Sequence, residues 1–260
     1  MSARVLGAAR THGFPRDFII AGRPVNSYKV FLCVGIYLGT LLSAAVGARS
    51  GLSPLRVGSG CVACALAGLV GARFYHLAVN FRTYRAAGFK AAWNTELGGW
   101  SVFGGLIIVP LLLTRDSVFG IPVAVFWDHM AFGIAFGGAW IRFGCVCNGC
   151  CAGRESHAWF ARRQHDTQWV YKDRIPVQWL EIAWWLAAVA GLFWLWPMHL
   201  PSGSYALAVF GWYGVGRFWL EPLREQPQLV FGRVAINQVV AAVVALAAGS
   251  GLLWLMARGS

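Results

Sequence analysis

Residues 140–154 read WIRFGCVCNGCCAGR and contain four cysteines, two arginines and three glycines. They begin at the end of an apolar run, Ile121–Arg142, that has the length of a helix crossing a membrane. An arginine at that depth is costly unless it meets a counter-ion or a ligand. The stretch therefore predicts a polar, thiol-rich site at the end of a transmembrane helix.

The composition of the whole chain predicts a membrane protein. Of its 260 residues, 58% are hydrophobic and 12% are charged, whereas a soluble domain has about 25% charged residues. We predict an all-α polytopic membrane protein of about seven transmembrane helices, with a small extramembrane cap and an N-terminal arm. The expected apolar segments are Lys29–Gly47, Gly58–Val79, Gly99–Leu113, Ile121–Arg142, Val177–Trp196, Tyr205–Leu220 and Ala235–Met256.

The chain is interpreted as one membrane domain over residues 1–260, with the arm at 1–28 and the cap with its cysteine-rich loop at 145–176. Met1–Arg23 lacks the apolar core and cleavage site of a signal peptide, so the first apolar helix is expected to be retained. The third apolar segment begins with GGWSVFGG, which predicts a helix that is broken or starts within the membrane. Irregular backbone at that depth must face protein or a wet cavity, which indicates a site.

The net charge of +12 is explained by basic residues that contact the membrane surface. In a soluble chain it would suggest nucleic acid, but these basic residues lie in loops, where lipid phosphates meet them first. We expect membrane lipid, and not nucleic acid, as the partner. Lysine and arginine are concentrated on the membrane side of the N-terminus, and the positive-inside rule alone would put that side in the cytoplasm. The opposite side carries Arg49, Arg56, Arg115 and Arg258.

Ionisable residues inside the apolar segments are candidates for function, because each costs a few kcal/mol there. Tyr213, Arg217 and Glu221 recur every four residues and should share one helix face. A buried Arg217–Glu221 salt bridge is the structural interpretation. Guanidinium groups of Arg142 and Arg217 converging from two helices would instead match a phosphate, and hence an anionic lipid headgroup. The other candidates are Asp128, His129, Glu181 and Arg224.

The cysteine cluster consists of Cys145, Cys147, Cys150 and Cys151. A zinc knot would need four ligands from seven consecutive residues, and adjacent cysteines rarely both reach one ion, so no metal is expected. The Cys147–Cys150 pair has the C-x-x-C form of a redox centre, with Arg142 and Arg154 near enough to lower a thiol pKa. Small thiols packed in a tight backbone are the third interpretation. The remaining cysteines lie in apolar runs and are expected to be small buried residues: Cys33, Cys61 and Cys64.

Four motifs in the same order resemble the prolipoprotein diacylglyceryl transferase family over nearly the whole chain. The family signature G-R-x-G-N-F-x-N-G-E-x-x-G is similar to the stretch Arg142–Gly153. The family's GG-x-S-F-H-GGLIG resembles GGWSVFGGLI at residues 98–107. Its P-x-Q-L-Y-E resembles Pro176–Glu181, and its YG-x-x-RF-x-x-E-x-x-R resembles Tyr213–Arg224. The seven expected spans also agree with the family.

The resemblance implies transfer of a diacylglyceryl group from phosphatidylglycerol to the lipobox cysteine thiol of a prolipoprotein, with loss of glycerol phosphate. It implies that Arg142 binds the donor headgroup, because arginines in a dry cavity stabilise charge that develops on a phosphate. Arg217 and Tyr213 would act at the phosphate, and Glu221 would fix the arginines. No cofactor is implied. The other binding residues that it implies are Tyr28, Gly104, Gly105, Asn148, Gly153, Gln178, Glu181 and Arg224.

This chain departs from the family pattern in ways that bear on catalysis. The family histidine, the usual candidate for the base toward the incoming thiol, is Phe103 here, and phenylalanine cannot accept a proton. The signature's asparagine and glutamate are Cys145 and Cys150. The chain is therefore interpreted as a divergent member, with His76 and His129 as candidate replacement bases. Cys150 is a candidate for the nucleophile or for a residue that is itself lipidated.

Two other functions are left open by the residues. A membrane thiol oxidoreductase would use Cys147 and Cys150, and a lipid-binding relative without chemistry would need only Arg142 and Arg217. The resemblance implies a multi-pass protein of the bacterial inner (cytoplasmic) membrane, whose N-terminus and signature loops lie outside the cytoplasm. That orientation opposes the charge count. We favour it because basic residues around an anionic-lipid site have their own reason to be there.

Overall fold

The computed structural model describes residues 14–79, 81–88, 117–166, 168–225, 229–230 and 234–259. Most of these residues are helical, and five of the helices are long and apolar enough to cross a membrane. This supports the prediction of a polytopic membrane protein. The five spans are Ser27–Arg49, Pro54–Ala78, Val123–Asn148, Val177–Met198 and Ile236–Arg258.

The helices follow the predicted apolar segments closely. The sixth predicted segment forms a helix of 17 residues, and the third, Gly99–Leu113, lies outside the described residues. The expectation of seven spans therefore stays a prediction. Short 3-10 turns at Trp196–Met198 and Glu221–Leu223 extend the helices that end at Leu195 and Leu220. The helices are α1 Ser27–Arg49, α2 Pro54–Val79, α3 Phe81–Ala87, α4 Val123–Asn148, α5 Val177–Leu195, α6 Ser204–Leu220 and α7 Ile236–Gly259.

The described residues also contain four two-stranded antiparallel hairpins, which the sequence analysis did not predict. Two of them turn through consecutive left-handed residues, at Ala21–Gly22 and Phe119–Gly120. Such two-residue turns match the natural twist of a hairpin. The strands are β1 Asp17–Ile20, β2 Arg23–Asn26, β3 Ser117–Val118, β4 Ile121–Pro122, β5 Arg162–His165, β6 Tyr171–Arg174, β7 Leu229–Val230 and β8 Val234–Ala235.

The first hairpin changes the predicted N-terminal arm. Strands β1 and β2 occupy its described part, and α1 begins at Ser27. Tyr28 therefore lies in the first turn of this helix. The α4 helix likewise continues to Asn148, so the first half of the cysteine-rich stretch is helical.

The fold comprises two compact units. One contains the chain up to Leu42 together with the chain from Trp127 onward, and the other is Ser43–Phe126. The described residues of the site discussed below belong to the first unit, and the candidate base His76 belongs to the second. The interpretation of residues 1–260 as a single domain stays a prediction.

Glycines let α1 and α4 approach closely within the first unit. Gly35 and Gly39 face Gly137 and Gly133, and a Cβ on Gly39 would lie 2.5 Å from the Gly133 carbonyl oxygen. A Cβ on Gly35 would lie 2.7 Å from the Gly137 oxygen. Both helices thus use glycines four residues apart, a common device for packing helices in membranes. This contact fixes α4, which carries Arg142 at its far end.

Asp128 and His129 have packing roles at the start of α4. The Asp128 carboxylate accepts hydrogen bonds from the Gly203 and Ala206 amides, at 2.6 and 3.0 Å. It thereby satisfies the free amides at the first turn of α6. His129 is buried against the Trp196 ring, with centroids 5.4 Å apart.

The three cysteines outside the cluster differ in burial. Cys61 and Cys64 are buried, as predicted. Cys33 is exposed on α1, so the expectation that it is buried was wrong. The α1 helix has few buried positions, and a small apolar thiol on such a surface suits contact with lipid.

The close approach of α1 and α4 predicts that Gly39→Ala destabilises the protein. The added methyl would meet backbone and not a movable side chain, so we expect a loss of about 1–3 kcal/mol and a lower unfolding temperature in detergent. Gly191→Ala is the matched control, because nothing lies within 4 Å of its Cβ position. Equal unfolding temperatures for the two variants would contradict this packing.

Candidate active site

The centre of the site is the carboxylate of Glu181, one turn into α5. Its oxygens lie 3.2 Å from Nε of Arg142, 3.4 Å from Nη1 of Arg217 and 2.7 Å from Nη2 of Arg224. Only 7% of the Glu181 side chain is exposed. One buried carboxylate therefore gathers three guanidinium groups from α4, α6 and the turn after α6.

A second carboxylate supports two of the same arginines. Glu221 lies 2.9 Å from Nη2 of Arg217 and 3.5 Å from Nε of Arg224. Its other oxygen accepts a hydrogen bond of 2.7 Å from the Asn237 amide on α7. The Arg217–Glu221 pair expected from the sequence is thus present, as one part of a larger network.

The network has an uneven charge. Three arginines face two carboxylates, which leaves a formal charge of +1 in a buried place. Buried charge is costly unless it is balanced. A monoanion such as a phosphodiester would balance this network, and arginine forks suit its oxygens.

A narrow cleft opens beside the network and has an aromatic wall. Tyr213 lies on this wall, its ring stacked on Trp185 with centroids 5.5 Å apart. Trp184 and Trp212 also stack, and each indole NH donates to the other's backbone carbonyl, at 2.9 and 2.8 Å. These contacts lock α5 against α6. The cleft is lined by Arg142, Glu181, Trp184, Trp185, Tyr213, Gly216, Arg217 and Leu220.

Three of the four clustered cysteines come together next to Arg142. The sulfurs of Cys145, Cys150 and Cys151 all lie within 4.8 Å of one another. Nη1 of Arg142 lies 3.9 Å from the sulfurs of both Cys145 and Cys151. Cys147 is buried at the end of α4 and is not a member of this three-sulfur group.

Cys151 occupies an unusual position in this group. Its φ of 60° is left-handed, a conformation that costs energy for a residue other than glycine. Hydrogen bonds with the Cys145 and Cys150 thiols, with Arg142 and Arg224 nearby, hold the pKa of the Cys151 thiol well below its usual range.

The backbone around the cluster is fixed by the other predicted binding residues. A Cβ on Gly153 would overlap the Ile175 carbonyl, so only glycine fits there. Gln178 is buried and donates a hydrogen bond of 3.1 Å to the Cys150 carbonyl. Asn148 accepts a hydrogen bond of 2.7 Å from Asn26, whose own side-chain oxygen accepts from the Tyr28 amide.

The segment between α4 and α5 is anchored by Arg174, which is fully buried. Its guanidinium lies 2.8 Å from Asp166 and 2.7 Å from Glu225. It also donates to the Gly153 carbonyl, at 3.3 Å. These contacts tie the β5–β6 hairpin to the chain leaving α6, and hence to Arg224. Sequence reasoning missed Arg174, because nothing in a polar loop indicates a buried arginine.

The described residues bring most of the predicted site together. Gly104, Gly105 and Phe103 lie outside them. His129 is 13 residues before Arg142 on α4, about 20 Å along the helix axis, so it is too far away to act there as a base. His76 lies in the other unit, beside the Tyr84 ring.

Sequence reasoning missed several partners of the predicted residues. Trp184 and Trp185 lie three and four residues after Glu181, which is the helical spacing that could have indicated them. Cys151 belongs to the predicted cysteine cluster, but its spacing indicates no role of its own. No sequence signal marked Asn237, which meets Glu221 only through the packing of α6 against α7.

The fold and the site together define a helical membrane protein with a buried, arginine-rich network beside an aromatic cleft. The family model of prolipoprotein diacylglyceryl transferases matches residues 16–255. The chain belongs to this family, which confirms the resemblance found in its motifs.

Individual relatives agree with that assignment. The chain is 30% identical to the phosphatidylglycerol–prolipoprotein diacylglyceryl transferase of Corynebacterium diphtheriae, over 91% of this chain and 90% of that protein. It is 27% identical to the enzyme of that name from Geobacillus kaustophilus, over 89% and 87%. For the Enterococcus faecalis protein of the same name the identity is 26%, over 89% and 86%.

The central position of Glu181 predicts a severe effect of Glu181→Gln. The change leaves three buried guanidinium groups with one carboxylate, and losing one partner of a buried ion pair costs about 3–5 kcal/mol. We expect a much lower unfolding temperature in detergent. Glu155→Gln is the control, because Glu155 pairs with Lys172 at an exposed position and such pairs contribute little. Similar unfolding temperatures for both variants would contradict the central role of Glu181.

Proposed function

We propose that this protein transfers the diacylglyceryl group of phosphatidylglycerol to a cysteine thiol of a prolipoprotein, or of a related acceptor. The observation that carries the proposal is the network of three arginines and two carboxylates beside an aromatic cleft. Family membership and the names of the relatives support the same reaction.

Arg142 and Arg217 bind the donor phosphate in this proposal. Both line the cleft, and both are held by Glu181, so their positions are set before the lipid arrives. Preorganised donors stabilise developing charge without reorganising during the reaction. Glu221 and Arg224 complete the network as positioning residues.

The same arginines help the leaving group to depart. The bond between the glyceryl carbon and the phosphate oxygen breaks, and glycerol phosphate carries the released negative charge. A site with a formal charge of +1 stabilises this anionic product. It also favours phosphatidylglycerol as the donor over lipids whose headgroups are neutral or zwitterionic. Tyr213 and the tryptophans supply an apolar wall for the diacylglyceryl part.

The acceptor thiol approaches from the cysteine side of Arg142. We assign Cys150 to this side of the site, because its sulfur is grouped with two thiols that Arg142 contacts. Gly153, Gln178, Asn148 and Tyr28 maintain the backbone around it. Attack by Cys150 itself on the donor would end in a stable thioether on the protein, so onward transfer requires that the acceptor's own sulfur attack.

We propose further that the protein resides in the bacterial inner membrane with its N-terminus outside the cytoplasm. Prolipoprotein and headgroup then meet the cysteine side of the site on the outer surface. The segment 145–176, with its β5–β6 hairpin and polar sequence, is the extramembrane cap on that side. With seven spans, the C-terminus lies in the cytoplasm.

Replacing Arg142 tests the transfer directly. In Arg142→Lys the charge stays but the fork that contacts Glu181 and the thiols is lost, so we expect about a 10²-fold or larger fall in transfer. Purified protein is incubated with labelled phosphatidylglycerol and a lipobox peptide, and mass spectrometry detects the diacylglyceryl peptide. Arg163→Lys, in the β5 strand, is the matched control and should keep the wild-type rate.

The outcomes of this assay separate the candidate functions. Binding of phosphatidylglycerol without any product would support the lipid-binding relative and contradict the transfer. An adduct on Cys150 and none on the peptide would indicate a different acceptor. Equal rates with phosphatidylethanolamine as donor would contradict the selection of an anionic headgroup.

The orientation predicts where a C-terminal reporter is active. Green fluorescent protein fused after Arg258 should fluoresce, because it folds in the cytoplasm, and alkaline phosphatase at the same position should be inactive. The reverse pattern in intact bacteria would favour the charge count over the family orientation. The same two reporters fused before Asp17 are the control and should give the opposite pattern.

A further inference from the structure

The three-sulfur group has the dimensions of a metal site. A tetrahedral ion with sulfur ligands at about 2.3 Å holds those sulfurs about 3.8 Å apart. The sulfurs of Cys145, Cys150 and Cys151 already lie within 4.8 Å of one another, so small side-chain rotations would bring them onto one ion. The sequence spacing had disfavoured metal because adjacent cysteines rarely both reach it.

The backbone explains how two adjacent cysteines can converge. Gly149 and Cys151 both have left-handed φ values, 69° and 60°, so the chain turns sharply at the end of α4. Cys145 then reaches the turn from the last helical residues, while Cys150 and Cys151 reach it from the turn itself. The strain at Cys151 is a cost that a bound ion would offset.

The charges around the group also suit a soft divalent ion. Three thiolates and a divalent ion carry a formal charge of −1, and Nη1 of Arg142 lies 3.9 Å from two of the sulfurs. Arg142 would be a cationic neighbour of this group. Thiolate ligands select zinc-like ions over hard ions such as Mg²⁺ or Ca²⁺.

We propose that Cys145, Cys150 and Cys151 bind one zinc-class divalent ion whose fourth position receives the acceptor's cysteine thiol. The inference rests on the proposed transfer and names how its thiol is activated. Catalytic zinc sites keep three protein ligands and one open position. A thiol that coordinates such an ion is deprotonated, so the acceptor needs no side chain acting as a base.

The step balances without a further reactant. The acceptor S–H gives its proton to solvent when the sulfur coordinates the ion. A sulfur lone pair then forms the C–S bond to the glyceryl carbon, and the electrons of the broken C–O bond go to the phosphate oxygen. Glycerol phosphate leaves between Arg142 and Arg217, and the neutral thioether, a weak ligand, dissociates from the ion.

Cobalt(II) tests the site, because it replaces zinc and absorbs light when sulfur coordinates it. Reduced wild-type protein in detergent, titrated with CoCl₂ without oxygen, should show sulfur-to-cobalt absorption that saturates at one ion per chain. Adding a lipobox peptide should change the visible bands, because a fourth sulfur enters. The same peptide with serine in place of its cysteine should not change them.

Variants identify the ligands. Cys151→Ser and Cys145→Ser should weaken cobalt binding by at least about tenfold, with loss of sulfur absorption. Cys33→Ser, which changes an exposed thiol, and Cys147→Ser, which changes a thiol outside the three-sulfur group, are the matched controls and should bind cobalt like the wild type. The peptide-dependent change in wild-type protein needs no variant and holds even if a variant fails to fold.

The failure of this inference is distinguishable from the failure of the proposed transfer. Absence of sulfur-to-cobalt absorption in reduced wild-type protein would overturn the metal site. Transfer at the full rate by protein freed of metal with a chelator would also overturn it, while the proposed function would stand. One bound ion with a peptide-dependent spectrum but no diacylglyceryl peptide from phosphatidylglycerol would contradict the transfer and leave the metal site in place.

Discussion

The arrangement of the site depends on the ion pairs of one buried carboxylate, that of Glu181. Arg142, Arg217 and Arg224 come from different parts of the chain, and three cations would repel one another without this shared counter-ion. Glu181 thus fixes the relative positions of α4, α5 and the end of α6. A single carboxylate cannot neutralise three arginines, and neither can the pair with Glu221. In the proposed function, the remaining positive charge favours an anionic headgroup.

Packing of apolar surfaces places these charges where they can meet. The glycines of α1 and α4 allow a backbone approach that larger residues would prevent. The reciprocal Trp184–Trp212 hydrogen bonds hold α5 against α6, and Arg174 ties the segment after α4 to the chain after α6. The charged network is therefore held in place by contacts within the protein itself.

Much of the fold and part of the site could be predicted from sequence alone, because hydropathy and motifs are read directly from the order of residues. Apolar segments gave most of the helices, and the spacing of Tyr213, Arg217 and Glu221 gave the Arg217–Glu221 pair. The hairpin turns at Ala21–Gly22 and Phe119–Gly120 were missed, because neither is one of the strongest turn dipeptides. Contacts such as Asn237 with Glu221 depend on how two helices pack, which spacing within one helix cannot reveal.

The cysteine-rich stretch was the least predictable part. Its spacing argued against a common ligand site, and only the left-handed turn after α4 shows that three sulfurs can converge. This turn places Arg142 between two kinds of partner, carboxylate on one side and sulfur on the other. In the proposed reaction, a residue so placed lies next to both the donor phosphate and the acceptor thiol, between which the diacylglyceryl group is transferred.

The most direct test of phosphate binding by Arg142 and Arg217 is an experimental structure of the protein with phosphatidylglycerol bound in a lipid nanodisc. We expect the phosphate within hydrogen-bonding distance of Arg142 and Arg217, with Glu181 still paired with both arginines. A phosphate bound elsewhere, with the arginine network closed and empty of lipid, would contradict this expectation.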